Sequence, residues 1–123
     1  MLGKLRSIIE NNNVSNKEAV ISCPSYYTDS ERKALLDACK IAEFTCVRLY
    51  NESAAITLSY GLFRKAELDA LTPRHVVFLD FGHSKSSVFL ASFTNTKGKI
   101  LSQFHDRNLG VRDIDWILIN KYD

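Results

Sequence analysis

Apolar residues switch between helical and strand periods along this chain, and each change of period marks an element boundary. Leu2, Leu5, Ile8 and Ile9 recur at helical spacing with Lys4 and Arg6 between them, which predicts the last turns of an amphipathic helix ending near Asn11, Asn12 and Asn13. Ala19–Cys23 reads as a short strand that Pro24 stops, because proline has no N–H to give a ladder. Thr28 and Glu31 form a capping box, and Ala34, Leu35, Ala38, Ile41 and Ala42 carry an apolar stripe on to about Glu43. Cys46–Leu49 is a second short strand, and Asn51-Glu52-Ser53 starts a helix bearing Ala54, Ala55, Leu58 and Phe63, with Gly61 placed for a left-handed helix end.

A polar connector from Arg64 to Arg74 contains Pro73 and has the length of a linker between lobes or of a surface loop. The run Val76–Leu79 is bulky or β-branched throughout and predicts a strand buried on both faces; Val88–Phe93 predicts its antiparallel partner. Asn95-Thr96-Lys97-Gly98 supplies turn chemistry, and Lys99–Phe104 returns as a third strand. From Leu109-Gly110 a further helix begins, with Ile114, Ile117, Leu118 and Tyr122 as its apolar positions. The first helix lacks a cap and the last lacks a terminator, so both ends are expected to be cuts in a longer chain.

Between the central strands lies Asp80-Phe81-Gly82-His83-Ser84. It reads in either of two ways. One is a polar hairpin turn. The other is half of a phosphate site, in which consecutive backbone N–H groups converge on an anion and a nearby acid holds magnesium directly or through water.

The bulk properties narrow the setting. A chain of 123 residues with 46% hydrophobic content has the size and composition of one ordinary domain. Its net charge of +2, spread without runs, gives no footprint for nucleic acid or an anionic membrane. The three cysteines, Cys23, Cys39 and Cys46, form no C-x-x-C pair, and with no signal peptide or long apolar span they imply a reducing, intracellular setting and buried structural thiols. His75, His83 and His105 show no metal-ligand spacing.

Several segments carry a family resemblance. Val20–Arg32 resembles the V-x-V-P-x-Y/F-F/Y-T/N-D-x-Q/E-R segment in the nucleotide-binding domain of the heat-shock protein 70 superfamily, the DnaK-like chaperones. Leu49–Ala55 resembles its I-N-E-P-T-A-A segment, and Tyr60-Gly61-Leu62 its A-Y-G-L ending. Asp80–Ser84 lies where the family has D-L-G-G-G-T, and Asn108–Asp115 resembles H-L-G-G-x-x-F-D with Val111 for the second glycine. His83, Ser84, Ser53 and the Tyr27-Thr28-Asp29 run with Glu31-Arg32 are similar to the large heat-shock protein 110 branch, whose members act as nucleotide exchange factors and holding chaperones.

The resemblance implies an α/β fold: part of an actin-like, ribonuclease-H-like ATPase domain, with mixed sheet strands and flanking helices from two adjoining lobes. Residues 1–68 would end the first lobe, and 69–123 would start the second with its phosphate-loop hairpin. It implies ATP or ADP with magnesium in the parent protein, and no nucleotide bound tightly by this segment alone. Asp80 and Glu52 match the family's acids near the catalytic water and, through water, the magnesium. Gly82, His83 and Ser84 match the loop whose N–H groups meet the phosphates, and Pro24 and Arg32 match its allosteric relay. On residue chemistry alone, Pro24 can be a mere strand terminator, Arg32 a solvated helix residue and Glu52 an acid favoured by the helix dipole. Lys85 replaces the family's threonine and Ser87 its second aspartate, which predicts a weak ATPase at most. Implied partners are a heat-shock protein 70 chaperone and unfolded polypeptides, in the cytoplasm, with no nucleic acid and no membrane. Exposed apolar faces at the cut ends predict self-association. The alternatives are an ordinary ATP-hydrolysing DnaK-like folding chaperone or another actin-like-fold ATPase.

Overall fold

A computed structural model describes residues 1–12 and 18–122, so Asn13 at the expected helix end lies outside the described residues. The elements are α1 (Leu2–Asn11), β1 (Glu18–Cys23), α2 (Asp29–Ile41), β2 (Thr45–Asn51), α3 (Glu52–Phe63), a single 3-10 turn (Lys65–Glu67), β3 (Arg74–Phe81), β4 (Ser86–Phe93), β5 (Gly98–Asp106) and α4 (Val111–Tyr122). They form two compact units, Met1–Ala55 and Ile56–Asp123.

The first unit is a βαβ arrangement. β1 and β2 pair in parallel from Glu18 opposite Thr45 to Cys23 opposite Asn51, with an irregularity after Ala19. A parallel pair needs a crossover, and α2 supplies it. The expected capping box is present: the Glu31 N–H donates to Thr28 Oγ1 at 3.4 Å, and the Thr28 N–H donates to Glu31 Oε2 at 2.7 Å. Cys23 and Cys39 are fully buried, as expected, whereas Cys46 is only half-buried. α2 ends at a tight reversal in which the Phe44 N–H donates to the Cys39 carbonyl at 2.9 Å and Glu43 takes a left-handed φ of 57°. Glu43 also pairs with Arg6, which donates to the Ala42 carbonyl and so fastens α1 to this reversal.

The second unit is a three-stranded antiparallel meander in the order β3-β4-β5. Direct cross-strand neighbours share a face, so Phe78 lies opposite Phe89 and Val76 opposite Ala91. That face is the core: Phe89, Ala91 and Phe93 are buried there, with Leu68 joining them. Tyr60 of α3 packs its ring against Phe93 at 4.9 Å and Phe78 at 5.4 Å between centroids, and Phe78 stacks on Phe89 at 4.8 Å.

Two sequence expectations are corrected here. β3 is covered on one face only, because Val77 and Leu79 point to the other and are 61% and 66% exposed. A bulky run is compatible with burial on both faces, but burial also needs a layer on each side. α3 runs through Gly61 to Phe63, and no glycine has a positive φ, so Gly61 is no left-handed helix end. It lies instead against the Phe93 ring, 3.6 Å from where a Cβ would stand.

Phe93 is 1% exposed at the centre of this core. Phe93→Ala is expected to destabilise the second unit by about 3–5 kcal/mol in urea denaturation, and a loss below about 1 kcal/mol would show that the core lies elsewhere.

Candidate functional site

The β3–β4 connection is short because the strands stay paired to its edge, with Asp80 opposite Ser87 and Phe81 opposite Ser86. The Gly82 N–H closes the turn by donating to the Lys85 carbonyl at 2.8 Å. Two carbonyls of the turn face the start of α4. The Val111 N–H donates to the Gly82 carbonyl at 3.0 Å, and the Arg112 N–H donates to the His83 carbonyl at 3.1 Å. These donors belong to the first turn of a helix, where N–H groups have no partner within the helix. Asp113 completes the cap, its Oδ2 accepting from the Gly110 N–H at 2.7 Å.

Gly110 makes this docking possible. A Cβ there would stand 2.3 Å from the His83 carbonyl oxygen and 2.7 Å from Ser84 Cα. Both are backbone atoms and cannot step aside cheaply.

With the carbonyls turned towards α4, the N–H groups of His83 and Ser84 donate to no other group among the described residues. Asp80 is half-buried at the strand end, and its direct cross-strand neighbour is the hydroxyl-bearing Ser87 rather than a second acid. Two adjacent amides with a carboxylate close in sequence fit an anion and its hydrated cation. Asp80, Gly82, His83 and Ser84 thus belong to one turn of the second unit. Among the described residues no group of three or more His, Cys, Asp or Glu side chains is arranged to hold a metal directly.

Pro24 and Arg32 come together in the first unit. The chain turns after β1, the Tyr27 N–H donating to the Pro24 carbonyl at 3.1 Å. Arg32, from the first turns of α2, reaches back around this turn. Its Nε donates to the Tyr27 carbonyl at 3.1 Å, Nη1 to Cys23 Sγ at 3.1 Å, and Nη2 to the Ser25 carbonyl at 3.4 Å. Nη2 also donates to Asn51 Oδ1 at 2.9 Å. Arg32 is therefore no solvated helix residue: the fork of its guanidinium ties the end of β1 to the end of β2. Glu52 follows Asn51 directly, half-buried in the first turn of α3.

Sequence reasoning missed Asn51 as a partner of Arg32, and it missed the part played by Gly110 and Asp113 in holding the turn. The leucine–glycine pair at Leu109-Gly110 was the available signal for the latter. Nothing in the spacing of Arg32 and Asn51 announces their contact.

Residues 1–122 match the sequence profile of the family described as Hsp70 protein. The chain belongs to the Hsp70 family. It is 44% identical over 107 residues to Heat shock 70 kDa protein 4 of Rattus norvegicus, covering 85% of this chain and 13% of that protein. It is 39% identical over 124 residues to the 97 kDa heat shock protein of Strongylocentrotus purpuratus, covering 99% of this chain and 14% of that protein. Heat shock 70 kDa protein 16 of Arabidopsis thaliana is 37% identical over 123 residues, 99% of this chain and 16% of its own length. The first two are relatives of the heat-shock protein 110 branch, in line with the substitutions at His83, Ser84 and Ser53. The chain thus spans about one-seventh of the length of these Hsp70-family relatives. Its mixed α/β arrangement agrees with the actin-like ATPase fold of the family. No described helix is long and apolar enough to cross a membrane.

Gly110→Ala is expected to cost about 3 kcal/mol in thermal or urea unfolding, because the obstructing atoms are backbone. Gly3→Ala in α1, where nothing lies within 4 Å of the added carbon, is the control and should be neutral or slightly stabilising. Equal effects for the two would remove the turn's dependence on Gly110.

Proposed function

We propose that this chain is a segment of the ATP-binding domain of a heat-shock protein 70/110-type molecular chaperone whose parent acts as a nucleotide exchange factor and holding chaperone. Residues 1–68 are the end of its first lobe and 69–123 the start of its second. The observation that carries the reading is the turn at Gly82–Ser84, whose carbonyls are engaged by α4 while the His83 and Ser84 amides remain undonated. In the parent these amides meet the nucleotide's phosphates. On the family resemblance, Asp80 and Glu52 are the acids that would hold the magnesium through water in the parent, and the ion would supply charge neutralisation for the phosphates. Arg32 holds Pro24's turn to Asn51 next to Glu52, so the relay pair and the first-lobe acid move as one piece.

Exchange rather than turnover is supported by Ser87. A hydroxyl stands opposite Asp80 where a second carboxylate could have oriented water, while a backbone cradle is insensitive to such side-chain changes.

Adding the full-length parent to a partner heat-shock 70 chaperone loaded with labelled ADP should accelerate ADP release. Unchanged release, together with single-turnover hydrolysis by the parent as fast as that of a DnaK-like chaperone, would favour the folding-ATPase alternative. In the parent, Asp80→Asn should weaken magnesium-dependent ATP binding by about tenfold to a hundredfold in calorimetric titration. The isolated 123-residue chain should show no micromolar affinity for ATP, since the site needs segments from outside it.

The isolated chain is also expected to self-associate through the bare sheet face formed by Val77, Leu79, Phe81, Val88 and Phe104, all of them exposed. Light scattering behind size-exclusion chromatography measures this, and a monomer at every concentration would count against it.

A further inference from the structure

We propose that Lys85 is a phosphate-binding residue: in the parent its ammonium lies against the terminal phosphate of the nucleotide seated on the His83 and Ser84 amides and neutralises part of the phosphate charge. The proposal rests on the reading of the Gly82–Ser84 turn as an anion site.

That turn has direction but little charge of the right sign. Two backbone amides orient an anion, yet each is neutral, and the neighbouring Asp80 carboxylate repels it. The elements around the turn add further acids. Asp106, at the end of β5, lies opposite Ser86. Asp113 of α4 accepts from the Gly110 N–H at 2.7 Å, and the Arg112 guanidinium lies 3.8 Å from that same carboxylate, which offsets its charge. From Asp80 to Ser87 the sequence holds one lysine and no arginine. A phosphate chain placed here therefore meets acids from three elements, and Lys85 is the cation on the turn itself.

The fold aims Lys85 at the anion. The Gly82 N–H donates to the Lys85 carbonyl at 2.8 Å, so these two residues stand side by side with His83 and Ser84 as the tip between them. In a turn closed this way the first and last Cα atoms are less than about 7 Å apart, so an ammonium on a four-carbon stem spans the whole tip. The side chain also leans the right way: Lys85 Cγ lies 3.6 Å from where a Cβ on Gly82 would stand. Lys85 is half-buried, its stem covering a glycine that has no side chain of its own. Beyond Cγ two methylenes and the ammonium remain to reach the ligand. Lysine meets phosphate as a point charge with three rotating donors and needs no fixed angle of approach. Threonine, the family's residue here, offers a hydroxyl and no charge. Lys85 thus moves part of the neutralisation from magnesium to the protein.

Calorimetric titration of the full-length parent with ATP, in magnesium and again in EDTA, tests this. Lys85→Met keeps the stem and removes the charge. It should bind ATP about tenfold to a hundredfold more weakly than wild type, with the larger loss in EDTA, while Lys85→Arg keeps most of the affinity. Adenosine, which carries no phosphate, should bind wild type and Lys85→Met alike. A second measurement needs no variant. An acyl-phosphate derivative of ATP hands its acyl group to a lysine amine beside the terminal phosphate, and peptide mapping of the wild type should find Lys85 acylated and protected by excess ATP. Unchanged ATP affinity in Lys85→Met, an equal loss for adenosine, or labelling confined to other lysines would each overturn the proposal and leave the turn's reading standing. No ATP binding by the wild type would remove that reading, and the role of Lys85 with it.

Discussion

The β3–β4 turn owes its orientation to an atom that is missing. Because Gly110 has no Cβ, the first turn of α4 closes onto the backbone of His83 and Ser84, and the amides of Val111 and Arg112 take up the carbonyls of Gly82 and His83. A peptide unit has one direction: when its carbonyl is drawn one way, its N–H points the other. The helix start therefore satisfies its own orphan donors and presents neighbouring donors at the turn. Aromatic packing of Phe78 and Phe93 against Tyr60, with Phe89 stacked on Phe78, holds the strands that carry this turn, so the site rests on a core built a few residues away.

The first unit is organised by a cation. Arg32 makes its hydrogen bonds to acceptors from the end of β1, the following turn and the end of β2, none of them a carboxylate. Hydrogen bonds from a charged donor are worth roughly twice neutral ones. The planar fork also sets direction, which a lysine's single rotating ammonium could not do at several acceptors together.

Local signals were legible where a residue acts on its own neighbourhood. The Thr28–Glu31 capping box, the strand stop at Pro24 and the strand run Val88–Phe93 are all short-range chemistry, and each element appears within a residue or two of its expected place. Burial was less legible. The run Val76–Leu79 shows what β3 can tolerate on its faces but not how many layers cover it, and Val77 and Leu79 are exposed. Gly61 looked like a helix stop because glycine permits a left-handed turn, yet here it gives room beside Phe93. The Arg32–Asn51 bond joins residues 19 apart, a distance over which periodicity carries no information. For the candidate site, Asp80–Ser84 stood out as a turn with an acid, but only Gly110, far along the chain, explains which way its amides face.

Glu43 bears on how the first unit can change. A left-handed backbone at a non-glycine residue costs about 1–2 kcal/mol, so this position favours glycine as far as the main chain is concerned. The side chain has the opposite interest, because Arg6 of α1, which also pairs with Glu10 in its own helix, reaches out of α1 to this acid. That pair is on the surface and weakens as salt rises, whereas the backbone strain does not. Drift to glycine would thus relax the reversal after α2 while loosening the anchor of α1. One position therefore trades the stability of a turn against the attachment of a helix, and ionic strength sets the terms of exchange.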